Sequence, residues 1–176
     1  MFHFISRIGL VVSFLFFFMS SAFAGTKVII ETNMGTIGIE LEDEKSPITV
    51  KNFLAYVDSS FYSETIFHRV IGNFMIQGGG FDSALAKKTT QAPIVLESPA
   101  TTGLSNVRGT IAMARTNLQN SATSQFFINV KDNANLDGYG GGYAVFGKVI
   151  SGMAVVDKIK AVKTTYKNRM QNVPAK

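Results

Sequence analysis

The alternation of apolar and polar residues along this chain predicts a protein built mainly from short β-strands. Two β-rich runs flank the turn-forming segment Asn33-Met34-Gly35, and their spacing predicts a hairpin. The connections between the predicted strands are too short for parallel crossovers and no segment is repeated, so an antiparallel arrangement is expected. The predicted strands are Val28–Glu31, Thr36–Leu41, Phe67–Ile71, Phe74–Gln77, Thr110–Ala114, Phe126–Val130 and Tyr143–Val149.

Two amphipathic helices interrupt this pattern. Ser46 can cap the first helix and Pro47 suits its first turn. Its apolar stripe has the spacing i, i+3, i+4, i+7 and consists of Val50, Phe53, Leu54 and Val57. The second helix is predicted after Ser151, with an apolar stripe formed by Met153, Val156 and Ile159. Strands and helices together predict a mainly β fold, a closed antiparallel barrel with two helices.

The stretch from Phe67 to Phe81 concentrates the candidate chemistry. Arg69 lies on the same strand face as Phe67 and Ile71, and a cation among apolar side chains is costly unless it serves a ligand. A turn at Gly72-Asn73 then returns the chain as a second strand. The two strands bring four side chains to the rim of one hollow: Arg69, Phe74, Met75 and Gln77.

The first 24 residues are typical of a secretory signal peptide. They carry the basic Arg7, an apolar run from Ile8 to Met19 and the small-residue ending Ala22-Phe23-Ala24, which predicts cleavage before Gly25. An uncleaved membrane anchor is the alternative, but a spanning helix needs about 20 apolar residues and this run is shorter. We therefore expect an exported, periplasmic protein with one domain, residues 25–176, and no membrane association after cleavage.

Composition excludes several classes of protein. The chain has no cysteine, which excludes disulfides, thiol enzymes and cysteine-ligated metal sites. Its net charge of +5 is spread along the sequence except between Lys158 and Arg169, which favours a solvated face over a nucleic-acid surface. The glycines from Gly78 to Gly80 lack the Gly-Lys-Ser/Thr of a phosphate loop. A turn with positive φ, or a close backbone approach to a bound peptide, explains these glycines better.

Three further blocks follow the stretch 67–81 in order: RGTIAMAR at 108–115, SQFFIN at 124–129 and YAVFGKV at 143–149. With FHRVIGNFMIQGGGF, these blocks resemble the signature of the cyclophilin-type peptidyl-prolyl isomerases. The likeness extends from about Gly35 to Ile159, and several blocks at consistent spacing are much harder to match by chance than one motif.

This resemblance implies an eight-stranded barrel with two helices at its ends, and an enzyme that rotates the peptide bond before proline without a cofactor or metal. Arg69 is implied as the catalytic donor, with Phe74 and Gln77 beside it. Arginine suits this step because its guanidinium stays protonated and can donate to the prolyl nitrogen, which becomes an acceptor as the amide twists. The implied substrate-binding residues are His68, Met75, Ala114, Arg115, Gln125, Phe127, Leu136 and Tyr143. The implied partners are proline-containing peptides and unfolded exported proteins, bound by a monomer.

Each of these roles has an alternative. The apolar residues also suit a barrel core, Arg69 an ordinary salt bridge, and Gln77 the satisfaction of a buried backbone group. His68 is the only histidine after residue 24, but no Gly-x-Ser-x-Gly elbow accompanies it, so a serine hydrolase is disfavoured. Two other functions stay open: a non-catalytic proline-peptide binding or chaperone module using the same groove, and a small-ligand barrel with a deep closed cavity.

Two features depart from the family pattern. Asn135 stands before Leu136-Asp137 where many relatives have tryptophan, and the missing indole predicts weak cyclosporin binding. The sequence stops at Val173-Pro174-Ala175-Lys176, whereas family members usually continue into an apolar strand that pairs with the first strand. One edge of Val28–Glu31 is therefore expected to be open.

Overall fold

The computed structural model describes residues 25–175, which contain nine short antiparallel strands, three α-helices and two 3-10 turns. The predicted signal peptide lies outside these residues. None of the helices in this range is both long and apolar enough to cross a bilayer. In chain order the elements are β1 (Lys27–Thr32), β2 (Gly35–Leu41), α1 (Pro47–Asp58), β3 (Arg69–Ile71), β4 (Met75–Gly78), α2 (Pro99–Thr102), β5 (Thr110–Met113), β6 (Phe126–Asn129), β7 (Val145–Ser151), α3 (Met153–Lys160), β8 (Thr164–Lys167) and β9 (Met170–Pro174).

Seven of the strands form one antiparallel sheet in the order β1-β2-β7-β5-β6-β4-β3. The mainly β, antiparallel prediction is therefore confirmed. The predicted closure is overstated, because β1 and β3 are both edges of this sheet within residues 25–175. As expected, β1 pairs only with β2 in this range, and Ile29 on β1 is 69% exposed. The strands β8 and β9 form a separate hairpin and do not complete the sheet.

Period-two alternation gives the sheet two buried faces. The strand β6 is buried along its whole length, so side chains on both of its faces are covered. On one face, strands β4, β5 and β6 contribute Ile76, Ile111 and Ile128 to the main core. On the opposite face lies a smaller apolar cluster formed by Met75, Ala112, Phe127, Leu136 and Val145. The smaller cluster is the one that matters for the candidate site.

The buried face of α1 differs from the predicted stripe. Val50 and Phe53 pack into the main core as expected, but Leu54 is only partly buried and Val57 is exposed. Thr49 and Tyr56 are buried in their place. The contact surface has turned because the side chain of Glu97 holds the first turn of the helix and Tyr56 packs against Phe61 and Tyr62. For α3 the prediction is confirmed, since Val156 and Ile159 are buried.

The amino terminus of α1 is capped by a residue distant in sequence. Ser46 occupies the N-cap position as predicted, but its side chain makes no capping bond, because its hydroxyl donates to the carbonyl of Val145 at 2.7 Å. Glu97 supplies the cap, because its carboxylate accepts from the backbone N–H of Ile48 at 3.0 Å and of Thr49 at 2.8 Å. A carboxylate at this end of a helix also interacts favourably with the helix dipole.

The hairpin of β8 and β9 was not expected from the sequence. Its strands pair antiparallel, and Val173 of β9 is 3% exposed where this strand packs beside β3. Every side chain of β8 is exposed. A strand without a buried face produces no apolar alternation, which explains why the pattern did not reveal it.

Candidate functional site

One row of cross-strand partners carries most of the candidate chemistry. Arg69 on β3 lies opposite Gln77 on β4, Gln77 lies opposite Phe127 on β6, and Phe127 lies opposite Ala112 on β5. Directly opposed residues in a sheet project to the same face, so this register places the guanidinium beside an amide and an aromatic ring. Met75, two residues before Gln77, shares that face. Three strands, β3, β4 and β6, thus deliver Arg69, Met75, Gln77 and Phe127 to one place.

This row opens into a cavity of about 320 Å³. Its floor is buried and apolar, with Met75 and Phe127 at 1% and 4% exposure, whereas Arg69 and Gln77 at the rim are partly exposed. The cavity is therefore an open groove, which disfavours a barrel that encloses a small ligand. All the predicted site residues except His68 and Gln125 line it: Arg69, Phe74, Met75, Gln77, Ala114, Arg115, Phe127, Leu136 and Tyr143.

A short polar relay supports the cation at the rim. One guanidinium nitrogen of Arg69, Nη1, donates to Oε1 of Gln77 at 3.3 Å, and Nε2 of Gln77 donates to Oε1 of Gln125 at 2.9 Å. Gln125 thus does not line the cavity but holds the side chain of Gln77 in place. A guanidinium has five N–H donors, so this single long bond leaves most of them available to a ligand. The salt bridges within residues 25–175 do not involve Arg69, which argues against the salt-bridge alternative.

Arg115, the second cation of the cavity, is held by backbone carbonyls. Its Nε donates to Gly142 at 3.0 Å, and its Nη2 donates to Tyr139 at 3.0 Å and to Gly140 at 2.8 Å. Its guanidinium carbon lies 4.5 Å from the ring centre of Tyr143, a cation–π arrangement. Arg115 therefore fixes the loop that carries Tyr143 as one wall of the cavity.

His68 lies behind the cavity and does not line it. Its side chain is 4% exposed, its ring centre is 4.6 Å from that of Phe81, and its Nδ1 has no hydrogen-bond partner. Burial lowers the pKa of His68 from 6.5 to about 4; a hydrogen bond to the backbone of Ile66 opposes this shift, and the charge of Arg69 reinforces it. The imidazole is therefore neutral at pH 7, and this placement does not support the substrate contact predicted for His68.

The glycines after β4 have local steric causes. Gly79 has φ +78°, a left-handed conformation that favours glycine. A Cβ at Gly80 would lie 2.5 Å from Cγ of Gln125. Gly80 thus lets the backbone pass close to the Gln125 side chain that supports Gln77.

Sequence reasoning missed a set of buried amides behind the cavity. Asn106, Asn129 and Asn133 are each at most 2% exposed, and Nδ2 of Asn133 donates to the carbonyl of Phe74 at 2.8 Å. One signal was present: Asn129 ends β6 on the face that carries Phe127, where a buried amide needs partners. No group of three His, Cys, Asp or Glu residues suited to a metal ion occurs within residues 25–175.

Comparison with known proteins gives a consistent result. The family model described as cyclophilin type peptidyl-prolyl cis-trans isomerase matches residues 27–175. A peptidyl-prolyl cis-trans isomerase of Acinetobacter baylyi is 57% identical over 87% of this chain and 81% of its own length. Peptidyl-prolyl cis-trans isomerase B of Escherichia coli is 53% identical over 84% of this chain and 92% of its own length.

A solved structure gives the same match in three dimensions. The cyclophilin type isomerase of Cryptosporidium parvum, crystallised in the presence of the dipeptide Ala-Pro, superposes with a TM-score of 0.73 at 30% sequence identity. The match covers 85% of this chain and 91% of the Cryptosporidium chain.

The burial of His68 predicts an acid-sensitive fold. Its pKa is about 4 in the folded chain and near 6.5 when unfolded, so as the pH falls through this window the unfolded state binds the proton first. We expect His68 to contribute a loss of about 3 kcal/mol in the free energy of unfolding between pH 6.5 and pH 4, at 1.36 kcal/mol per pKa unit. Urea unfolding at several pH values measures this loss. The variant His68→Gln keeps the carboxylates but should show a smaller slope, and parallel pH profiles for the two proteins would contradict the assignment.

Proposed function

This chain belongs to the cyclophilin-type peptidyl-prolyl cis-trans isomerase family and is an isomerase of that class, and from this premise we propose that Arg69 is its catalytic hydrogen-bond donor. The observation that carries the proposal is the position of this guanidinium: at the rim of an apolar cavity, without a salt bridge among the described residues, and with one bond of 3.3 Å to Gln77. Such a cation has donors to spare for a substrate.

The chemistry requires neither a nucleophile nor a metal. Amide resonance opposes rotation about the peptide bond with about 18–20 kcal/mol, and no covalent bond breaks when the bond turns. As the amide twists, its nitrogen regains a lone pair and becomes an acceptor. A donor placed to meet that lone pair binds the twisted form better than either planar form, which is the condition for catalysis. Arg69 supplies this donor in the mechanism we propose.

The apolar floor of the cavity holds the substrate proline. Phe74, Met75, Phe127 and Leu136 surround a space suited to a pyrrolidine ring, and the relative from Cryptosporidium parvum was crystallised in the presence of Ala-Pro. The alternative role of these residues, packing in the core, is partly fulfilled as well. Met75, Phe127 and Leu136 pack together in the smaller apolar cluster, and the same residues line the groove. Proline-containing peptides are accordingly the substrate class.

The rest of the peptide is held while the bond turns. Gln77, kept in place by Gln125, positions the substrate carbonyl beside Arg69. The N–H of Ala114 already donates to the carbonyl of Gln125 at 2.9 Å, so pairing with an extended peptide falls to the other backbone groups around Ala114 and Arg115. This arrangement fixes one side of the bond and frees the other to rotate.

The biological setting we propose is the folding of exported proteins. The support is the leader-like sequence of residues 1–24, and the protein acts as a monomer in the periplasm after cleavage before Gly25. Cell fractionation with sequencing of the mature amino terminus tests this setting. A protein that stays in the cytoplasm with residues 1–24 attached would overturn the setting without affecting the catalytic proposal.

The variant Arg69→Ala tests the catalytic role. One charge-assisted hydrogen bond contributes about 1.5–3 kcal/mol, so we expect kcat/KM for a Xaa-Pro peptide to fall by roughly ten- to a hundredfold in a coupled isomerisation assay. Arg169→Ala, an exposed arginine in the β8–β9 turn, is the matched control and should leave the rate unchanged. If Arg69→Ala retains most of the turnover, the groove binds proline peptides without using this residue in catalysis, as a binding or chaperone module would.

Asn135 predicts weak inhibition by cyclosporin. The side chain is exposed and precedes Leu136, which lines the cavity, so an amide stands where an indole would add apolar area and one N–H donor. We expect Asn135→Trp to raise the affinity for cyclosporin by about tenfold or more, equivalent to roughly 1.4 kcal/mol. Inhibition of the isomerase assay measures this, with Gln171→Trp on the exposed part of β9 as the control. Nanomolar inhibition of the unaltered chain would contradict the prediction.

A further inference from the structure

Three buried asparagine side chains form a continuous hydrogen-bonded chain behind the proline-binding cavity. Asn133 Nδ2 donates to Asn129 Oδ1 at 2.8 Å, Asn129 Nδ2 donates to Asn106 Oδ1 at 3.2 Å, and Asn106 Nδ2 donates to Asp137 Oδ1 at 2.8 Å. The three asparagines are 2%, 0% and 0% exposed. We call these four residues the amide chain. It runs in one direction, from amide to amide, and ends on a carboxylate.

Each amide also uses its second hydrogen. Asn133 donates it to the carbonyl of Phe74 at 2.8 Å, Asn129 to the hydroxyl of Thr110 at 3.0 Å, and Asn106 to the carbonyl of Tyr143 at 3.2 Å. Two of these three branches therefore end on the backbone of residues that line the cavity. Because both hydrogens of every amide have an acceptor, the three side chains are held in one orientation. The network can therefore support the cavity walls rigidly.

The amide chain also holds a third wall of the cavity. Leu136 lies in the short 3-10 turn Ala134–Asp137, next to the terminal carboxylate of the chain. Its N–H donates to the carbonyl of Asn133 at 2.8 Å, and its own carbonyl accepts from the N–H of Tyr143 at 3.1 Å. The walls formed by Phe74, Leu136 and Tyr143 come from two connections, the turn between β3 and β4 and the loop between β6 and β7, and the amide chain contacts all three walls.

The carboxylate end is secured independently. Asp137 accepts from the hydroxyl of Ser105, and its Oδ1 accepts from the backbone N–H of Asn106 at 2.8 Å. Burial acts to raise the pKa of Asp137, but the hydrogen bonds from Ser105 and Asn106 outweigh it and hold the pKa below its ordinary value. The acceptor at the end of the chain is therefore charged at neutral pH, which strengthens the bonds that it receives.

We propose that the amide chain of Asn133, Asn129, Asn106 and Asp137 positions the walls of the proline pocket, and so sets the affinity for Xaa-Pro peptides. The proposal rests on the proposed function only in taking this cavity as the proline site. These are positioning residues, since they act through Phe74, Leu136 and Tyr143. Buried amides are costly when a partner is lost, so breaking one link should allow a wall to shift.

A purely structural role is the competing explanation, and the two differ in what they predict for peptide binding. A structural network would lower the free energy of unfolding and leave the dissociation constant of the folded protein unchanged. A positioning network would weaken peptide binding in protein that is fully folded. The dissociation constant of an Ala-Pro-containing peptide, measured by NMR titration, separates these outcomes without requiring turnover.

The central variant is Asn129→Leu, which removes the middle link and leaves its neighbours without partners. If the variant loses binding free energy equal to the contribution of one hydrogen bond, about 1.4 kcal/mol, the dissociation constant of the peptide rises about tenfold. Ile128→Ala is the matched control: the adjacent residue of β6 faces the main core, so the variant should be destabilised with its peptide affinity retained. Thr110→Val is a milder variant that removes only the branch acceptor of Asn129 and should raise the constant by a smaller factor.

Asp137 offers a test by conservative replacement. Asp137→Asn keeps an oxygen that can accept from Asn106 and should retain most of the affinity, whereas Asp137→Leu should lose it as Asn129→Leu does. The proposal is overturned if folded Asn129→Leu or, where that variant does not fold, folded Thr110→Val binds the peptide as tightly as the unaltered chain. Failure of the catalytic proposal has a different signature, a retained rate in Arg69→Ala, and leaves these binding measurements valid.

Discussion

The register of one antiparallel sheet with two buried faces is the constraint on which the site depends. Because side chains alternate between the faces, β3, β4 and β6 each contribute both to the main core and to the cavity. A shift by one residue in β4 would send Gln77 into the main core and Ile76 into the cavity, and it would break the row that joins Arg69 to Phe127. Packing on the core face therefore fixes the geometry of the site on the other face.

The two arginines of the cavity show how similar groups acquire different roles from their surroundings. Arg115 has its guanidinium occupied by carbonyls and stacked on Tyr143, so its donors are used in holding a loop. Arg69 has one long bond to Gln77, and the cavity lining contains no carboxylate to neutralise it. Within the described part of the chain, the remaining N–H groups of Arg69 are therefore free to donate to a ligand. Such a donor can bind the twisted amide more strongly than the planar one, which catalysis requires.

Local sequence patterns predicted the strands and helices, whose formation depends on neighbouring residues. They missed the contacts between residues that are distant in the sequence. Alternation located β1 to β7, and the strand around Arg69 followed from a single stretch of sequence. Glu97 caps a helix that begins 50 residues earlier in the chain, so no local motif could name it in place of Ser46. The amide chain likewise joins residues from three segments, the loop before β5, the strand β6 and the loop between β6 and β7, and single buried asparagines carry no spacing signal. The strand β8 escaped because all of its side chains are exposed and it therefore shows no apolar alternation.

The open edge of the sheet and the site lie at opposite ends of the strand order. The strands β3, β4, β6 and β5 carry the cavity, whereas β1 is separated from them by β2 and β7. Local opening in proteins is governed by how many buried contacts a segment has, and β1 pairs on one side only within the described residues. Fraying at β1 would therefore expose the edge near Ile29 while the contacts that hold Arg69, Gln77 and Phe127 stay formed. Because the strands that carry the cavity lie at the other end of the strand order, the site tolerates a weak edge at β1.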